Sequence, residues 1–255
     1  EILERSGELL QTIWKERNEK TLSDEEVERR VAGICNTLDE EGGYKVYKAN
    51  SRYRYFWRKL QESAGEAVKL IRDQLSNAEF EPTAFEWEFG GKGNEPVTLE
   101  LPDGRKVRFK GKIDRIDLLR ENGKEYLRVV DYKSSDKQSF DPAQVLAGLQ
   151  LQLPVYLDTA LGSFDAGTPA AEKKPAGFFY YHLFAEEAKE ARLDGVMLDE
   201  DGIRVRMEAE NGPDFCKDKV GERSLRALGA FARRTMSGMA EKICAGEIGA
   251  SPIRT

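Results

Sequence analysis

Histidine is almost missing from this chain of 255 residues; His182 is the only one. Cysteine is scarce as well, and Cys35, Cys216 and Cys244 lie far apart. These gaps leave no cluster of the His/Cys type that holds zinc. The odd count speaks against a disulfide framework, and a reducing, cytoplasmic setting is the simpler expectation. No run of about 18 apolar residues occurs, so no membrane-spanning helix is expected. No basic leader with an apolar stretch opens the sequence, and the start at Glu1 rather than Met reads as the cut edge of something longer. There is no P-loop, which argues against ATP handling. What is present is charge: 40 basic against 46 acidic residues, a net of −6, with 40% apolar content for a substantial core. That balance disfavours indiscriminate coating of nucleic acid but says little about local patches.

The first third reads as helical. Residues 2–18 and 24–40 are rich in Glu, Leu, Arg and Lys, and Thr21-Leu22-Ser23-Asp24-Glu25-Glu26 supplies an N-cap followed by early acids. Tyr53, Phe56, Leu60, Ala64, Ala67, Ile71 and Leu75 recur at helical spacing, which predicts one buried stripe. After Glu81-Pro82 the pattern becomes strand-like. Phe85 to Phe89 alternates, Val97 to Leu101 is short, Lys106 to Leu119 is read as one longer strand, and Glu125 to Lys133 follows. Asp141-Pro142 starts a helix through Val145, Leu149, Leu153 and Leu157, with Pro154 expected to kink it. Residues 162–175 read as a loop, Ala176 to Phe184 as a buried strand, and Ser224 to Cys244 as a closing helix. Two parts are expected: residues 1–79 helical, and 80–255 a core built on a sheet.

Asn122-Gly123 is a strong two-residue hairpin signal. With those residues at the turn, cross-strand partners have numbers summing to 245, so Leu118 faces Leu127, Ile116 faces Val129 and Asp114 faces Asp131. These pairs share one face, and Lys133 lies on it two residues beyond Asp131. The other face pairs Asp117 with Arg128, read as a surface ion pair. Two aspartates held opposite one another repel, and burial makes that worse. A divalent cation between them removes the conflict, and so few hard oxygen ligands suit Mg²⁺ or Mn²⁺. A neighbouring lysine can orient the attacking water or, in its neutral form, deprotonate it, and as a cation it can stabilise charge growing on a phosphoryl group. Asp114, Asp131, Tyr132 and Lys133 therefore read as a unit for metal-dependent phosphodiester hydrolysis. The blander reading is a one-residue slip that leaves one aspartate solvated.

Three stretches in order, Gly111-Lys-Ile-Asp-Arg-Ile-Asp117, Val129-Val-Asp-Tyr-Lys-Ser-Ser135 and Gly148-Leu-Gln-Leu-Gln-Leu-Pro-Val-Tyr-Leu-Asp158, carry a family resemblance. Phe85 to Gly90, Phe179 to Leu183 and Ile243 to Ile248 extend it. The chain resembles the RecB-like branch of the PD-(D/E)xK nucleases, and within it the C-terminal nuclease domain of AddB-type components of helicase–nucleases. The resemblance implies an α/β, restriction-endonuclease-like fold, a mixed central sheet flanked by helices with an N-terminal helical region. It makes Asp114 and Asp131 the motif acids, Lys133 its lysine, the Tyr132 carbonyl a further metal ligand, and Gln152 and Tyr156 the Q-x₃-Y pair. Glu86 matches the acid of the preceding strand, with Glu88 as its substitute. It further implies Mg²⁺-dependent cleavage of DNA ends in double-strand-break repair, beside the ATP-driven, AddA-type helicase–nuclease partner. Family members also hold a 4Fe-4S cluster, whose ligands are not expected among this chain's three separated cysteines. A catalytically inactive DNA-binding or scaffolding module on the same fold is the competing reading.

Arg105 to Arg120 carries seven basic residues against two acids. Beside the aspartates, Lys112, Arg115 and Ser134 are the residues expected at the phosphate backbone. His182, in an apolar stretch, reads as a sheet histidine. Tyr44 to Lys59 holds six basic residues, six aromatics and no acid. That mix suits stacking on single-stranded DNA, but a helix with its aromatics inward beneath basic stems is the preferred reading.

Overall fold

The computed structural model describes residues 2–19, 21–41, 50–91, 93–133, 139–167, 171–183, 193–212, 215–247 and 249. Ser134, residues 44–49 of the basic aromatic stretch, and Phe184 lie outside the described residues. Helices lead: α1 (Ile2–Arg5), α2 (Gly7–Glu16), α3 (Asp24–Glu40) and α4 (Ser51–Ser76). Ser23 caps α3 by accepting from the Glu26 N–H at 3.3 Å, and Asn50 caps α4 by accepting from the Tyr53 N–H at 3.0 Å. Five strands follow: β1 (Glu81–Phe89), β2 (Val97–Glu100), β3 (Lys106–Phe109), β4 (Gly111–Glu121) and β5 (Lys124–Lys133). The remainder is α5 (Pro142–Leu146), α6 (Gln152–Ser163), β6 (Glu172–His182), β7 (Leu193–Leu198), α7 (Asp201–Asn211), β8 (Asp218–Val220) and α8 (Glu222–Cys244).

Six strands form one mixed sheet in the order β1-β4-β5-β6-β7-β8, while β2 and β3 pair separately. Asn122 and Gly123 both have positive φ, 50° and 73°, the conformation a two-residue turn of the primed type needs. The β4–β5 register then runs from Glu121↔Lys124 to Arg115↔Val130, as the turn dictates. β5 and β6 are parallel. A parallel pair needs a crossover, and α5 and α6 provide it. α6 lies against β5 and β6, with α8 packed outside it. The opposite face of the sheet is closed by α7 and the C-terminal end of α4. Among the described residues no helix is long and apolar enough to cross a membrane.

Several sequence expectations need correction. Lys106 to Leu119 is not one strand: the chain breaks at Lys110, and β3 leaves the main sheet for β2. Gly111 opens β4 beneath the Phe89 ring, where a Cβ would approach a ring carbon to 2.5 Å. The helix expected across Pro154 is instead two, separated at Gly148 with φ 79°. Pro154 falls in the first turn of α6, where no intrahelical N–H partner is lost. The supposed loop ends early, since β6 begins at Glu172. The α4 stripe is buried only in its second half; Tyr53, Phe56 and Leu60 are exposed. Met239 and Ile243 likewise face outward on α8.

Asp117 and Arg128 are not a surface pair. Both are fully buried, because α4 and α7 cover the face that strand parity assigns them. Arg128 donates to Asp117 at 2.8 Å and grips Glu210 on α7 with two bonds, at 2.9 and 2.6 Å. Arg115, also fully buried, meets both Asp117 oxygens at 2.8 and 2.9 Å, the Tyr132 hydroxyl at 3.1 Å and Gln74 of α4 at 3.4 Å. The four charges cancel, and the Phe80 ring lies 4.5 Å from the Arg128 guanidinium. Removing one partner strands a buried charge, which costs about 3–5 kcal/mol. Glu210→Ala is therefore expected to lower the urea unfolding free energy by that amount. A loss below about 1 kcal/mol would mean that the network does not tie α7 to the sheet.

Candidate active site

Alternation along β4 sends Asp114 to the face opposite Arg115, and parity on β5 sends Asp131 and Lys133 to that same face. The β1–β4 pairs Phe85↔Arg115 and Trp87↔Ile113 bracket Glu86 and place it across from Asp114. Asp131 pairs with Tyr180 on β6, and Tyr180 with Asp194 on β7. Continuing the β4–β5 register beyond its last pair, Arg115↔Val130, sets Asp114 against Asp131, so Glu86, Asp114, Asp131, Tyr180 and Asp194 fall in one row across five adjacent strands. Three carboxylates stand at one end of it. Glu86 is held at φ 50°, a left-handed conformation that is strained for a residue with a side chain.

Each member is positioned by named contacts. Asp114 accepts from the Tyr132 backbone N–H at 2.8 Å. Asp131 meets the Lys133 ammonium at 2.6 Å and accepts from the Gln152 carboxamide at 2.8 Å. That carboxamide also donates to the Tyr156 hydroxyl at 3.1 Å, and its oxygen lies 3.5 Å from Lys133. Gln152 opens α6 and Tyr156 is one turn on, so a single helix start holds both motif side chains over the acids. The Lys133 ammonium sits 4.6 Å from the Tyr180 ring centre. Glu86 pairs with Lys112, whose stem is partly exposed beside the row. The structure thus gathers Asp114, Asp131, Lys133, Gln152, Tyr156 and Glu86. Arg115 is not among them: its expected phosphate contact is replaced by the buried network on the opposite face.

Burial pushes the Asp114 carboxyl up to about 6, with the charges of Asp131 and Glu86 adding to the rise and the Tyr132 N–H and Lys133 opposing it. Burial likewise raises the Tyr156 and Tyr180 hydroxyls, Tyr180 to about 12, with Asp131 contributing to both. Among the described residues no three His, Cys, Asp or Glu side chains converge as a ready-made metal cage. The donors that do stand together fit a hard divalent ion, since the Asp114 and Asp131 carboxylates and the neighbouring Tyr132 carbonyl are all oxygens. Asp131 Oδ2 is buried and has no hydrogen-bond donor in line; only the Lys133 ammonium approaches it. Glu86 Oε2 is in the same condition, approached by Lys112.

Sequence reasoning missed the supports. Gln150, buried, donates to the Ser139 carbonyl at 2.9 Å and accepts from the Asp141 N–H at 3.0 Å. Asp194 accepts from the Phe140 N–H at 2.6 Å and lies 3.7 Å from His182. Together they pin the segment leading into α5 and set where α6 begins. The alternation Gln150-Leu-Gln152 was a visible signal for Gln150. Nothing local pointed to Tyr180 or Asp194, because the parallel crossover decides their neighbours.

The model of the family described as the PD-(D/E)XK nuclease superfamily matches residues 3–255. Proteins named as the B component of an ATP-dependent helicase/deoxyribonuclease are similar to this chain. That of Caldanaerobacter subterraneus subsp. tengcongensis is 31% identical over 249 residues, covering 85% of this chain and 21% of the relative. The Clostridium novyi protein is 27% identical across 100% of this chain and 24% of its own length. The Moorella thermoacetica protein is 35% identical over 161 residues, 63% of this chain and 14% of the relative. The chain thus spans a quarter or less of these relatives.

The raised Asp114 has a thermodynamic signature. Its ordinary value is 3.8, so between about pH 4 and 6 the folded protein retains a proton that the unfolded chain has released. This contribution to stability is complete below about pH 4 and is lost as pH rises through about 6. Asp114→Asn keeps the acceptor oxygen for the Tyr132 N–H but cannot ionise. In EDTA at pH 7.5 it is expected to stabilise by about 2–3 kcal/mol, and at pH 4 by little. Melting curves at the two pH values check this. An equal shift at both would remove the electrostatic explanation.

Proposed function

The chain belongs to the PD-(D/E)XK nuclease superfamily, and from that membership we propose that it hydrolyses DNA phosphodiester bonds with a divalent metal held at Asp114 and Asp131. The observation that carries this reading is the row of Glu86, Asp114 and Asp131 on neighbouring strands, with Lys133 on the same face. Such a row opposes its own folding unless a cation neutralises it.

Asp114, Asp131 and the Tyr132 carbonyl would hold Mg²⁺ or Mn²⁺, and Glu86 stands next in line. A bound ion of this kind supplies a Lewis acid for the phosphoryl oxygen and lowers the pKa of the attacking water. Lys133 holds positive charge where the phosphoryl group gains negative charge, and its ammonium can orient the attacking water. Gln152 fixes the Asp131 carboxylate and faces the Lys133 ammonium, so both keep their geometry when substrate displaces solvent. Tyr156 anchors Gln152. Lys112, half exposed at the edge of the row, is available to a phosphate oxygen of the strand.

The names of the relatives join a helicase to a deoxyribonuclease, which supports a finer proposal. The chain acts as the nuclease portion of an AddAB-like complex at double-strand-break ends, cutting single strands delivered by the unwinding of an AddA-type helicase partner. A binding module without catalysis has no use for the opposed acids, and one assay separates the two. Incubation with single-stranded DNA is expected to give cleavage that needs Mg²⁺ and falls about 10²–10⁴-fold in Lys133→Ala. Calorimetric binding of Mn²⁺ is expected to vanish in Asp131→Ala. Cleavage indifferent to Lys133 would sink the mechanism, and metal binding indifferent to Asp131 would sink the metal site.

A further inference from the structure

The first half of α4 carries aromatic rings on its exposed face. Tyr53, Tyr55 and Phe56 are 41%, 49% and 47% exposed, with Leu60 beside them, while Trp57 turns inward. The sequence reading that placed these aromatics in the core is thereby overturned. Arg52, Arg54, Arg58 and Lys59 interleave with the rings, and no acid occurs between Asn50 and Gln61. The Arg52 guanidinium lies over the Phe56 ring at 5.6 Å and that of Arg58 over Tyr55 at 5.7 Å. The Tyr55 and Phe56 ring centres are 6.1 Å apart at 64°. Glu62, one turn on, offsets Lys59 at 2.6 Å and reaches Arg58 only at 3.9 Å.

Planar rings left half in water, each beside a guanidinium, are the two components that sequence-tolerant binding of a single strand requires: faces for bases and cations for phosphates. Protein interfaces also use rings and arginines, but four cations with no acid between Asn50 and Gln61 are complementary to a polyanion. The positive sign is also local, since the whole chain carries −6. We propose that this face of α4 is an accessory binding site for single-stranded DNA, separate from the carboxylate row. α4 ends against that site's scaffold, where Gln74 accepts from Arg115, the neighbour of Asp114. Phe56 stands 18 residues before Gln74, about 27 Å along the helix axis. A strand held at the rings thus meets the protein well away from the bond to be cut.

The site goes beyond the cleavage reading and is tested without it, by fluorescence anisotropy of a labelled thymidine oligonucleotide in EDTA. Tyr55→Ala with Phe56→Ala is expected to weaken binding at least tenfold. Arg52→Gln with Arg58→Gln is expected to reduce the slope of log affinity against log salt by about 1.4, two phosphate contacts on a single strand. Arg204→Gln, on α7 and away from both the rings and the carboxylates, is expected to bind as the native chain does, while Lys133→Ala reports any share of the strand held at the carboxylates. The rings and guanidiniums are surface groups, so unchanged melting is expected in each variant. If the ring variant does unfold, the arginine variant carries the test alone. Unchanged affinity and unchanged salt slope would overturn the proposal and leave the face to a protein partner. Binding lost only in Lys133→Ala would overturn it equally, by placing the strand at the carboxylates.

Discussion

Parity along one hairpin governs this molecule. Two residues at positive φ, Asn122 and Gly123, fix the pairing of β4 with β5. That pairing decides which side chains share a face, and a slip of one residue would exchange the faces. On one side it would bury Asp114 and Asp131 away from any substrate. On the other it would expose Arg115, Asp117 and Arg128, and remove the partners of Glu210. The charged interior and the charged site are thus alternating residues of the same two strands, and neither survives a change in the other.

The two faces handle buried charge in opposite ways. Behind the sheet, two guanidiniums and two carboxylates neutralise each other within hydrogen-bond distance, so that face is closed. In front, three carboxylates have only two ammonium groups between them. The first arrangement needs nothing further. The second has unspent negative charge, and Asp114, held up first by burial and then by its acidic neighbours, is a carboxyl reluctant to ionise.

How much of this the sequence disclosed follows from the range of the interaction involved. Turn chemistry is local, so Asn122-Gly123 revealed the β4–β5 register from Glu121↔Lys124 to Arg115↔Val130 and the shared face of Asp114 and Asp131. Capping is local too, and Ser23 stood out. Burial is not local: Asp117 and Arg128 looked like a surface pair because nothing nearby shows that α7 will cover them. The same blindness placed the α4 rings inside, since spacing tells which residues share a face but not whether that face has a neighbour over its whole length. The break at Lys110 was hidden because β3 and β4 are equally strand-like and only their partners differ. Tyr180 and Asp194 joined the row through a parallel crossover, which no pattern of period two reports.

Among the described residues only two side chains other than glycine sit at positive φ, Asn122 and Glu86. Asparagine tolerates that conformation; glutamate does not favour it. Glycine at position 86 would relax the backbone and delete a carboxylate in one step. Under the proposed metal-dependent cleavage, a lineage relieved of that chemistry would gain stability by the exchange, whereas one retaining it would lose the acid beside the metal ligands. The identity of this single residue therefore offers a cheap reading of whether related chains remain under selection for chemistry.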